Sequence, residues 1–558
     1  MGFIAPSLWT INEYGEALRK LVTEGRNLDR WIDFKAHQVF EEATVYTALQ
    51  FYTKQPNEMV KVAFAPEGIV ADNPWSRSSS GVTYDNLDYG DRWLLLAGPE
   101  RALIDHLTAT CRRLDDPTVT THIYQGLITS ADSIYHLERL APRRYLCSPT
   151  GRGAPPPYEV EIEDELMKPL VSGVDARRYV EPRPTIHILF PYTRTGEEVQ
   201  ILDAVDFQRR YPCAWSYLQS YAVELKRREV TLDNGGNIIE APFDDERWYR
   251  FGRHQNIDKQ DIPKLMVPRL VNRLVSAVDT CGLYYLDNVD VGGVQPADDI
   301  DLFFLAGLLN SKVLNFVFQR ISKPFRGNYL SANKQFIAPL PVPTATSEQA
   351  ADIAALARQL QASHTLRRDI LARLARRMET VRRRPKPETW LFPDLKSKRE
   401  LEAEAPATLD ADGRRAWATK RYDDVLGGIH GAIKERLHPS ATLDAVFVDG
   451  ELSFLIDGVT IIDRIFVTDA EGSFILAQWK VLAATFSITA RTTGERLCNA
   501  LRRLAGKDHS PVIQQIMELE RELATAETTI LRQEREMDAA VYALYSLSDD
   551  EIELVENG

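Results

Sequence analysis

Arg250, Arg253 and Gln255 lie in the segment WYRFGRHQNI at 248–257, directly after two aromatic residues. Arginine can bond to guanine O6 and N7, and glutamine to adenine N6 and N7, in the major groove of a DNA duplex. A plain solvated loop is the structural alternative for such a polar segment. The residue types predict contacts between these side chains and base edges.

A second segment of this kind, ISKPFRGNYLSANKQF at 321–336, lies between two apolar blocks. It combines positive charge, a glycine and an aromatic ring, which suits contact with both a phosphate backbone and base edges. The residues that we expect to contact DNA there are Lys323, Arg326, Asn328, Tyr329 and Lys334.

The turn in IYQGLITS at 123–130 is a third candidate. Gly126 would let the backbone approach a phosphate, and the hydroxyls of Thr129 and Ser130 could donate to it. Ordinary turn chemistry explains the same residues equally well.

The overall charge argues against a nucleic-acid partner, because the formal net charge is -13 and the pI is near 5.4. One stretch is nevertheless strongly basic: residues 367–386 include eight arginines and one lysine but only two acidic residues. Such a run is usually a solvated helix face, but it could also follow a phosphate backbone or meet an acidic partner.

The composition indicates a cytoplasmic protein with several domains. The 558 residues contain no apolar run of about 18 that would span a membrane, and the N-terminus lacks the pattern of a signal peptide. Cysteines are few and far apart, which argues against a zinc site or a disulfide framework. They are Cys111, Cys147, Cys213, Cys281 and Cys498.

The hydrophobic pattern predicts strand, helix, strand, strand over residues 1–55, the alternation of an α/β sheet edge. This is too short for a complete α/β domain, so we expect the chain to begin within a fold. Short β-type runs between prolines and glycines fill residues 120–345, with a buried helix at 302–318. Long helices are expected at 347–384 and 511–545, and further β-type runs at 445–457 and 473–479.

Several segments in this order resemble gamma-class adenine-N6 DNA methyltransferases fused to a target-recognition domain, the type IIG-like restriction–modification family. GFIAPSLW, YGEALRKL and IDFKAHQVFEEATVYTAL resemble the end of the methyltransferase domain. IYQGLITSADSIYHL, WYRFGRHQNI, KLMVPRLV and LAGLLNSKVLNFVF resemble the recognition domain, and MDAAVYALYSLSDDEIELVE the usual end of such chains. The resemblance covers about two-thirds of the chain.

The resemblance adds two sets of candidate residues. Phe40 stands where the family places an aromatic ring against the extruded adenine, although a core phenylalanine would look the same. Lys168, Arg177 and Arg178, in MKPLVSGVDARRY, match a family segment that could contact DNA or form a structural turn.

The catalytic elements of the family are missing from this sequence. Neither its glycine-containing S-adenosylmethionine loop nor its N-P-P-Y turn is present, and Asp72-Asn73-Pro74-Trp75 lacks the second proline. We therefore expect no catalytic residue, metal or cofactor in this chain, and S-adenosylmethionine on a catalytic partner subunit.

The expected fold class is α/β: a partial methyltransferase-type sheet, then a mixed α/β target-recognition domain with long C-terminal helices. The expected segments are 1–120 (methyltransferase-like), 121–345 (recognition), 346–387 (basic helix), 388–510 (accessory) and 511–558 (C-terminal helix and tail). The expected function is recognition of duplex DNA as the specificity half of an adenine-N6 methyltransferase in restriction–modification or phage defence.

Two alternatives stay open at this point. The chain could be a non-enzymatic DNA-binding or scaffold component of a defence complex, or a degenerate enzyme. Asp457 and Gln478-x-Lys480 also have a faint likeness to the metal-binding core of some nucleases, in which strands carry the ligands. A β-hairpin without a metal site is the alternative interpretation of this segment.

Overall fold

The computed structural model describes the chain except for scattered short segments. These are residues 36, 41–44, 66, 76–80, 91, 97, 152, 197, 234–237, 289, 326–328, 380–384, 490, 505–509 and 558. The chain divides into two compact units. Unit 1 comprises Met1–Gln361 with Gln533–Gly558, and unit 2 comprises Ala362–Arg532.

Unit 1 begins with a five-stranded sheet in the order β1-β3-β2-β4-β5, in which β2 and β4 are parallel and the other pairs antiparallel. Its strands are β1 (Gly2–Pro6), β2 (Leu28–Asp33), β3 (Thr47–Tyr52), β4 (Met59–Phe64) and β5 (Gly81–Thr83). Helices α1 (Glu16–Gly25) and α2 (Pro99–Thr110) belong to the same region. Trp9 packs edge-on against Trp31 and Trp93 at the centre of this core. The predicted order of strand, helix, strand, strand is confirmed.

Two further sheets form the middle of unit 1. The first has the order β10-β9-β8-β12-β11-β20, and the second β19-β17-β21-β7. Their strands are β7 (Thr120–Gln125), β8 (His136–Ala141), β9 (Arg144–Cys147), β10 (Tyr158–Glu161), β11 (Met167–Val171), β12 (Ile186–Leu189), β17 (Lys264–Pro268), β19 (Ala277–Asp279), β20 (Tyr285–Leu286) and β21 (Val291–Pro296). β17 is buried along its whole length, and it is a central strand that pairs with β19 on one edge and β21 on the other.

Short strand pairs and helices complete this region. The remaining strands are β6 (Arg112–Arg113), β13 (Tyr192–Thr195), β14 (Glu198–Ile201), β15 (Thr231–Leu232), β16 (Ile238–Glu240), β18 (Leu270–Val271), β22 (Pro324–Phe325), β23 (Tyr329–Ser331) and β24 (Pro341–Val342). The helices are α3 (Asp132–Tyr135), α4 (Ala204–Arg210), α5 (Pro212–Ser220), α6 (Ala222–Lys226), α7 (Leu302–Leu309), α8 (Lys312–Ile321), α9 (Lys334–Ile337) and α17 (Asp549–Asn557).

The apolar block predicted as one buried helix forms two helices, α7 and α8. Asp301 caps α7, and Ser311 caps α8 by accepting a hydrogen bond from the Leu314 amide, so the second cap ends the first helix. Among the described residues no single helix is long and apolar enough to cross a membrane. The α7–α8 pair meets that test only jointly, across a 59° bend.

Unit 2 contains helices and one antiparallel sheet in the order β25-β26-β27. Its elements are α11 (Glu388–Leu391), α12 (Lys398–Glu404), α13 (Ala411–Arg436), β25 (Leu443–Val448), β26 (Glu451–Ile456), β27 (Val459–Phe466), α14 (Asp469–Thr485) and α15 (Gly494–Leu501). The long helices α10 (Ser347–Glu379) and α16 (Ser510–Leu544) each contribute to both units. Both were predicted, and the mixed α/β class with long C-terminal helices is confirmed.

The predicted β-type run at 473–479 is wrong, because these residues lie within α14. Thr468 begins that helix by accepting a hydrogen bond from the Glu471 amide. Gln478 then donates to the Phe474 carbonyl one turn earlier, and Lys480 pairs with Glu520 at 2.8 Å. The nuclease-like pattern therefore has no strand to carry its Q-x-K part, and the interpretation fails.

Candidate nucleic-acid interface

Two of the segments that the sequence predicts to contact DNA, 123–130 and 248–257, lie against each other in the structure. The amides of Gly252 and Arg253 donate to the carbonyls of Thr129 and Ile128, at 3.0 and 3.1 Å. The side-chain amide of Asn256 donates to the carbonyl of Gln125 at 3.1 Å. Residues 125–130 and 250–256, here called the turn pair, therefore form one surface although more than a hundred residues separate them.

Aromatic side chains hold the second segment in place. Trp248, Tyr249 and Phe251 are buried in the core of the six-stranded sheet region. The Tyr249 hydroxyl donates to the Leu202 carbonyl at 2.6 Å, and the Phe251 amide donates to the Tyr192 hydroxyl at 2.7 Å. Because these residues anchor the backbone, the following residues 253–255 are presented to solvent from a rigid base.

Arg228 clamps the two segments together. Its buried guanidinium donates to the Thr129 carbonyl at 2.6 Å and to the Trp248 and Arg250 carbonyls at 2.8 Å. The guanidinium also lies 4.2 Å from the centre of the Phe243 ring. Desolvation by burial lowers the pKa of Arg228. Arg228 therefore acts as a positioning residue.

Glu229 neutralises the most exposed cation of the turn pair. Its carboxylate accepts from Arg253 Nη1 at 2.8 and 2.9 Å and from the Ser130 hydroxyl at 2.7 Å. These hydrogen bonds lower the pKa of the Glu229 carboxyl. The Arg253 side chain stays 53% exposed, so it can exchange this carboxylate for another anion.

The backbone of the turn pair and of the adjoining Glu229 is held in an unusual conformation. Ser130, Glu229 and Asn256 have φ values of 55°, 54° and 64°, in the left-handed region that side chains disfavour. Such strain persists only where the surroundings fix it, and it clusters at sites of function.

The remaining predicted residues of the turn pair have internal roles. A Cβ on Gly126 would lie 2.4 Å from the Leu286 carbonyl oxygen, so the glycine is required by packing. Thr129 is fully buried and bonds to Asp132 at the start of α3. Arg250 pairs with Asp245 at 2.6 Å. Ser130, Arg253 and Gln255 are the predicted residues that remain exposed here.

The hydrogen bonds described for the turn pair do not include Lys168, Arg177 or Arg178. Lys168 is half-buried on β11, where desolvation lowers the pKa of its amine. Arg178 bonds to Glu534 and to the Asn310 carbonyl, and so ties its turn to α16. Arg177 is exposed.

The segment at 321–336 forms a small antiparallel hairpin of β22 and β23 that pairs with β18. The Lys323 amine lies 5.5 Å from the centre of the Phe325 ring, and Lys334 is exposed at the start of α9. Tyr329 lines a cavity of about 370 Å³ together with Trp31, Asp33, Lys35, Trp93 and Asn272. Arg326 and Asn328 fall outside the described residues.

Phe40 is 44% exposed on the connection between β2 and β3, next to residues 41–44 that are not described. Its ring is accessible to a stacking partner. Trp75, in the Asp72–Trp75 segment that lacks the second proline of the N-P-P-Y turn, packs on the first sheet, with the Arg30 guanidinium 5.7 Å from the centre of its ring.

The basic run on α10 is matched by acidic residues on α16. Arg367 pairs with Glu527 and Arg373 with Glu522, each at 3.2 Å. The last three arginines of the run, 382–384, lie outside the described residues. Much of the positive charge in the described part of the run is therefore satisfied within the chain.

Sequence reasoning missed Arg228 and Glu229, which organise the turn pair. They stand in the run KRREV at 226–230, which carries no motif. Only the long-range contact with residues 129 and 253 gives them a role. The available signal was the charged run itself, and charged runs are too common to single out these two residues.

Part of this region matches the model of a known domain family. Residues 207–342 match the model of the TaqI-like C-terminal specificity domain, which includes the 250–256 half of the turn pair. The other half follows β7, which pairs with β21 of the matched region.

Three relatives illustrate the similarity. The type II restriction enzyme and methyltransferase RM.Eco57I of Escherichia coli is 26% identical over 62% of this chain and 34% of its own length. The type II methyltransferase M.XhoI of Xanthomonas vasicola is 24% identical over 62% of this chain and 58% of its own. The structure of the type IIL restriction–modification enzyme MmeI in complex with DNA aligns over 65% of this chain and 42% of its own, with 11% identity and a TM-score of 0.40. The chain thus spans between one-third and three-fifths of the curated relatives.

Proposed function

Since residues 207–342 form a TaqI-like C-terminal specificity domain and the chain's relatives are type II restriction–modification methyltransferases, we propose that this protein recognises a specific duplex DNA sequence for adenine-N6 methylation. The observation that carries the proposal is the turn pair. Two segments with side chains suited to DNA converge on the specificity domain and present Ser130, Arg253 and Gln255 from a rigid base.

Each exposed side chain has its own task in this proposal. Arg253 leaves Glu229 for a phosphate or for guanine O6 and N7, and Gln255 reads a base edge. The Ser130 hydroxyl also leaves Glu229 and donates to a phosphate oxygen. Arg228 fixes the distance between the two turns, because it holds the carbonyls of both. Contacts to phosphates set the register, and contacts to base edges select the sequence.

A catalytic unit beyond these residues supplies the methyl transfer. The chain's own residues do not fit S-adenosylmethionine: the sequence has no glycine-rich loop after a strand of the first sheet, and the described lining of the 370 Å³ cavity contains no glycine. We therefore assign the cofactor and the N-P-P-Y turn to that unit, and the exposed Phe40 ring to the extruded base.

An uncovered apolar surface supports docking of such a unit. Helix α1 buries Arg19 and Val22 but leaves Leu18 and Leu21 39% and 65% exposed, so its apolar stripe faces outward. The edge strand β1 leaves Phe3 49% exposed. Edge strands and apolar stripes of this kind are normally covered by a partner.

Selection from random duplexes tests the proposal. The chain is incubated with random-sequence DNA at low and moderate salt, and the bound duplexes are sequenced. A short enriched motif that contains adenine supports the proposal, and Gln255→Ala should then relax the preference at one position. Absence of enrichment, both with the chain alone and with a methyltransferase unit that carries an N-P-P-Y turn, would refute sequence recognition.

The docking surface has its own experiment. Leu18→Glu with Leu21→Glu should abolish co-elution with such a methyltransferase unit and leave DNA binding by the chain unchanged. Co-elution that survives this change would show that the catalytic unit binds elsewhere.

A further inference from the structure

A cavity of about 370 Å³ in unit 1 is walled by regions that are distant in sequence. The first sheet contributes Trp31 and Asp33 of β2, α8 contributes Arg320, and β23 contributes Tyr329. Trp93 lies in the same lining, and we call this site the aromatic cavity. Small-molecule sites have volumes of roughly 300–1,000 Å³ and combine aromatic walls with a few polar groups. The aromatic cavity has both properties.

Two N–H groups of this lining are buried without a hydrogen-bond partner among the described residues. They are Trp31 Nε1 and Arg320 Nε. Trp31 is 1% exposed, and the Arg320 side chain is 11% exposed. Leaving a buried donor unpaired is unfavourable. An occupant that presents two acceptor atoms would satisfy both groups.

Asp33 supplies an acceptor to the same cavity. Its Oδ1 accepts from the Lys35 amide at 2.7 Å, so among the described residues Oδ2 is left for a donor on an occupant. The lining therefore offers two donors and one acceptor from separate side chains. An occupant that matches this lining carries two acceptors and one donor.

The charges around the aromatic cavity favour an uncharged occupant. Asp33 and Lys35 both line it and carry opposite charges. The Arg320 guanidinium pairs through Nη2 with Glu100 at 2.7 Å, which offsets its charge and leaves Nε as a donor. A phosphate would find the positive charges of these residues already balanced, whereas a neutral ring can pack against the aromatic walls.

We propose that the aromatic cavity binds a pyrimidine nucleobase, which packs against the aromatic walls and forms hydrogen bonds with Trp31, Arg320 and Asp33. The pairing edge of thymine has an N–H between two carbonyls, and that of cytosine has an amino group beside two acceptors. The pairing edge of adenine has one acceptor, and that of guanine has one acceptor beside two donors, so neither purine matches this lining. Proteins read unpaired bases by stacking and by hydrogen bonds to this edge.

Two sources can supply such a base, a free nucleoside or a base of the bound duplex. Extrusion of an adenine leaves its thymine partner unpaired, so methylation as proposed above itself produces a pyrimidine without a partner. That source rests on the proposed function, whereas binding of a free nucleoside does not. The extruded adenine is assigned to Phe40 and not to the aromatic cavity.

Titration of the full chain with single deoxynucleosides, followed by saturation-transfer NMR, tests the class of base. We expect thymidine and deoxycytidine to bind at least about tenfold more tightly than the two purine deoxynucleosides, because a purine leaves a buried donor unpaired. N3-methylthymidine should bind about tenfold more weakly than thymidine, since a methyl group replaces the donor to Asp33. Equal binding of all four nucleosides, or no binding, would overturn the proposal.

Asp33→Asn tests the site itself. The carbonyl oxygen of the new side chain can still accept from the Lys35 amide, while its NH2 group replaces Oδ2 and opposes the N–H of the base. Thymidine affinity should fall about tenfold, and the unfolding temperature should stay near the wild-type value. Asp29→Asn is the matched control, because Asp29 lies on the same strand but pairs with Arg30, and it should bind thymidine as the wild type does. Unchanged thymidine affinity in Asp33→Asn would contradict the assigned site.

Competition with a duplex identifies the source and separates the two proposals. Thymidine is added at a saturating concentration to the chain bound to a duplex that it enriches. Release of the duplex places a base of the DNA in the aromatic cavity, and an unchanged duplex affinity assigns the cavity to a free nucleoside; both support the site. If thymidine binds but no duplex does, the proposed function fails and the aromatic cavity stands. If the duplex binds but no pyrimidine nucleoside does, the aromatic cavity fails as a base site and DNA recognition stands.

Discussion

Arg253 and Glu229 form a salt bridge across the turn pair, with Nη1 2.8 and 2.9 Å from the two carboxylate oxygens. The pair lies at the surface, so it contributes little to stability. Its consequence concerns binding: Arg253 can reach a phosphate or a guanine only by leaving Glu229. The carboxylate therefore competes with DNA for this arginine.

Glu229→Gln should strengthen DNA binding. The amide keeps the size of the side chain and can still accept from Ser130, but it no longer holds the guanidinium by charge. We expect the association constant to rise severalfold, and the salt dependence to steepen toward one additional phosphate contact. Fluorescence anisotropy across a salt series measures both.

The matched control for this prediction is Glu159→Gln, which removes the carboxylate of another exposed pair, with Arg144. It should leave DNA affinity nearly unchanged. Weaker binding by Glu229→Gln would mean that the salt bridge positions Arg253 instead of competing for it.

Asp287 should make stability depend on pH. Burial, with Asp132 and Asp290 nearby, raises the pKa of Asp287 to about 6, above the value of about 3.9 in an unfolded chain. The folded state therefore binds more protons between about pH 4 and 6, and the free energy of unfolding falls as pH rises through that window.

Asp287→Asn removes this titration. The variant should gain about 1–3 kcal/mol in the free energy of unfolding at pH 7, relative to the wild type, and little at pH 4. Urea unfolding at both pH values measures the difference. An equal effect at pH 4 and pH 7 would assign the change to lost contacts and not to charge.

Lys264 and Asp279 form a buried ion pair between β17 and β19. Their side chains are 0% and 2% exposed, and the amine lies 2.7 Å from the carboxylate. Lys264→Met leaves the carboxylate buried without its cation, and we expect it to destabilise the protein by roughly 3–5 kcal/mol. Chemical unfolding of the full chain tests this.

Lys259→Met is the control for the buried pair, since Lys259 lies 3.9 Å from an exposed aspartate, Asp258. It should change stability by about 1 kcal/mol or less. Equal losses in the two variants would contradict the role of burial.

Gly126 and Gly431 should respond oppositely to alanine. A methyl group on Gly126 would meet the backbone of residues 286 and 287 at 2.4–2.6 Å, whereas a methyl group on Gly431, in α13, would point into open space. We expect Gly126→Ala to destabilise unit 1 by about 1–3 kcal/mol. Gly431→Ala should stabilise unit 2 by about 1 kcal/mol, because alanine favours helix. Hydrogen exchange resolved by unit separates the effects, and a stable Gly126→Ala variant would contradict the packing found here.

The sequence predicted what depends on local pattern. The long helices were visible from their spacing, and the residue types after Trp248 and Tyr249 identified a polar segment suited to DNA, although the burial of the two rings was not predicted. The run at 473–479 was misjudged because its apolar residues suit a strand, whereas the cap at Thr468 and the packing of the helix decided the outcome. A short apolar run does not distinguish a strand from a buried helix by periodicity.

The organisation of the candidate site was not predictable. Which arginines would be free depends on partners far along the chain: Arg178 is held by Glu534, and Arg253 by Glu229. The residue Arg228 looked like one more surface charge, and only its hydrogen bonds to three distant carbonyls reveal its role. Residue type gave the candidate chemistry, and tertiary contacts decided which side chains could perform it.

The most direct test compares affinity for two duplexes of equal length at one salt concentration. One carries a motif enriched by the chain, and the other is the same sequence scrambled. We expect the enriched duplex to bind at least about a thousandfold more tightly, and Arg253→Ala with Gln255→Ala to remove most of this ratio. Equal affinity for both duplexes would contradict sequence-specific recognition and leave only nonspecific attraction to the phosphate backbone.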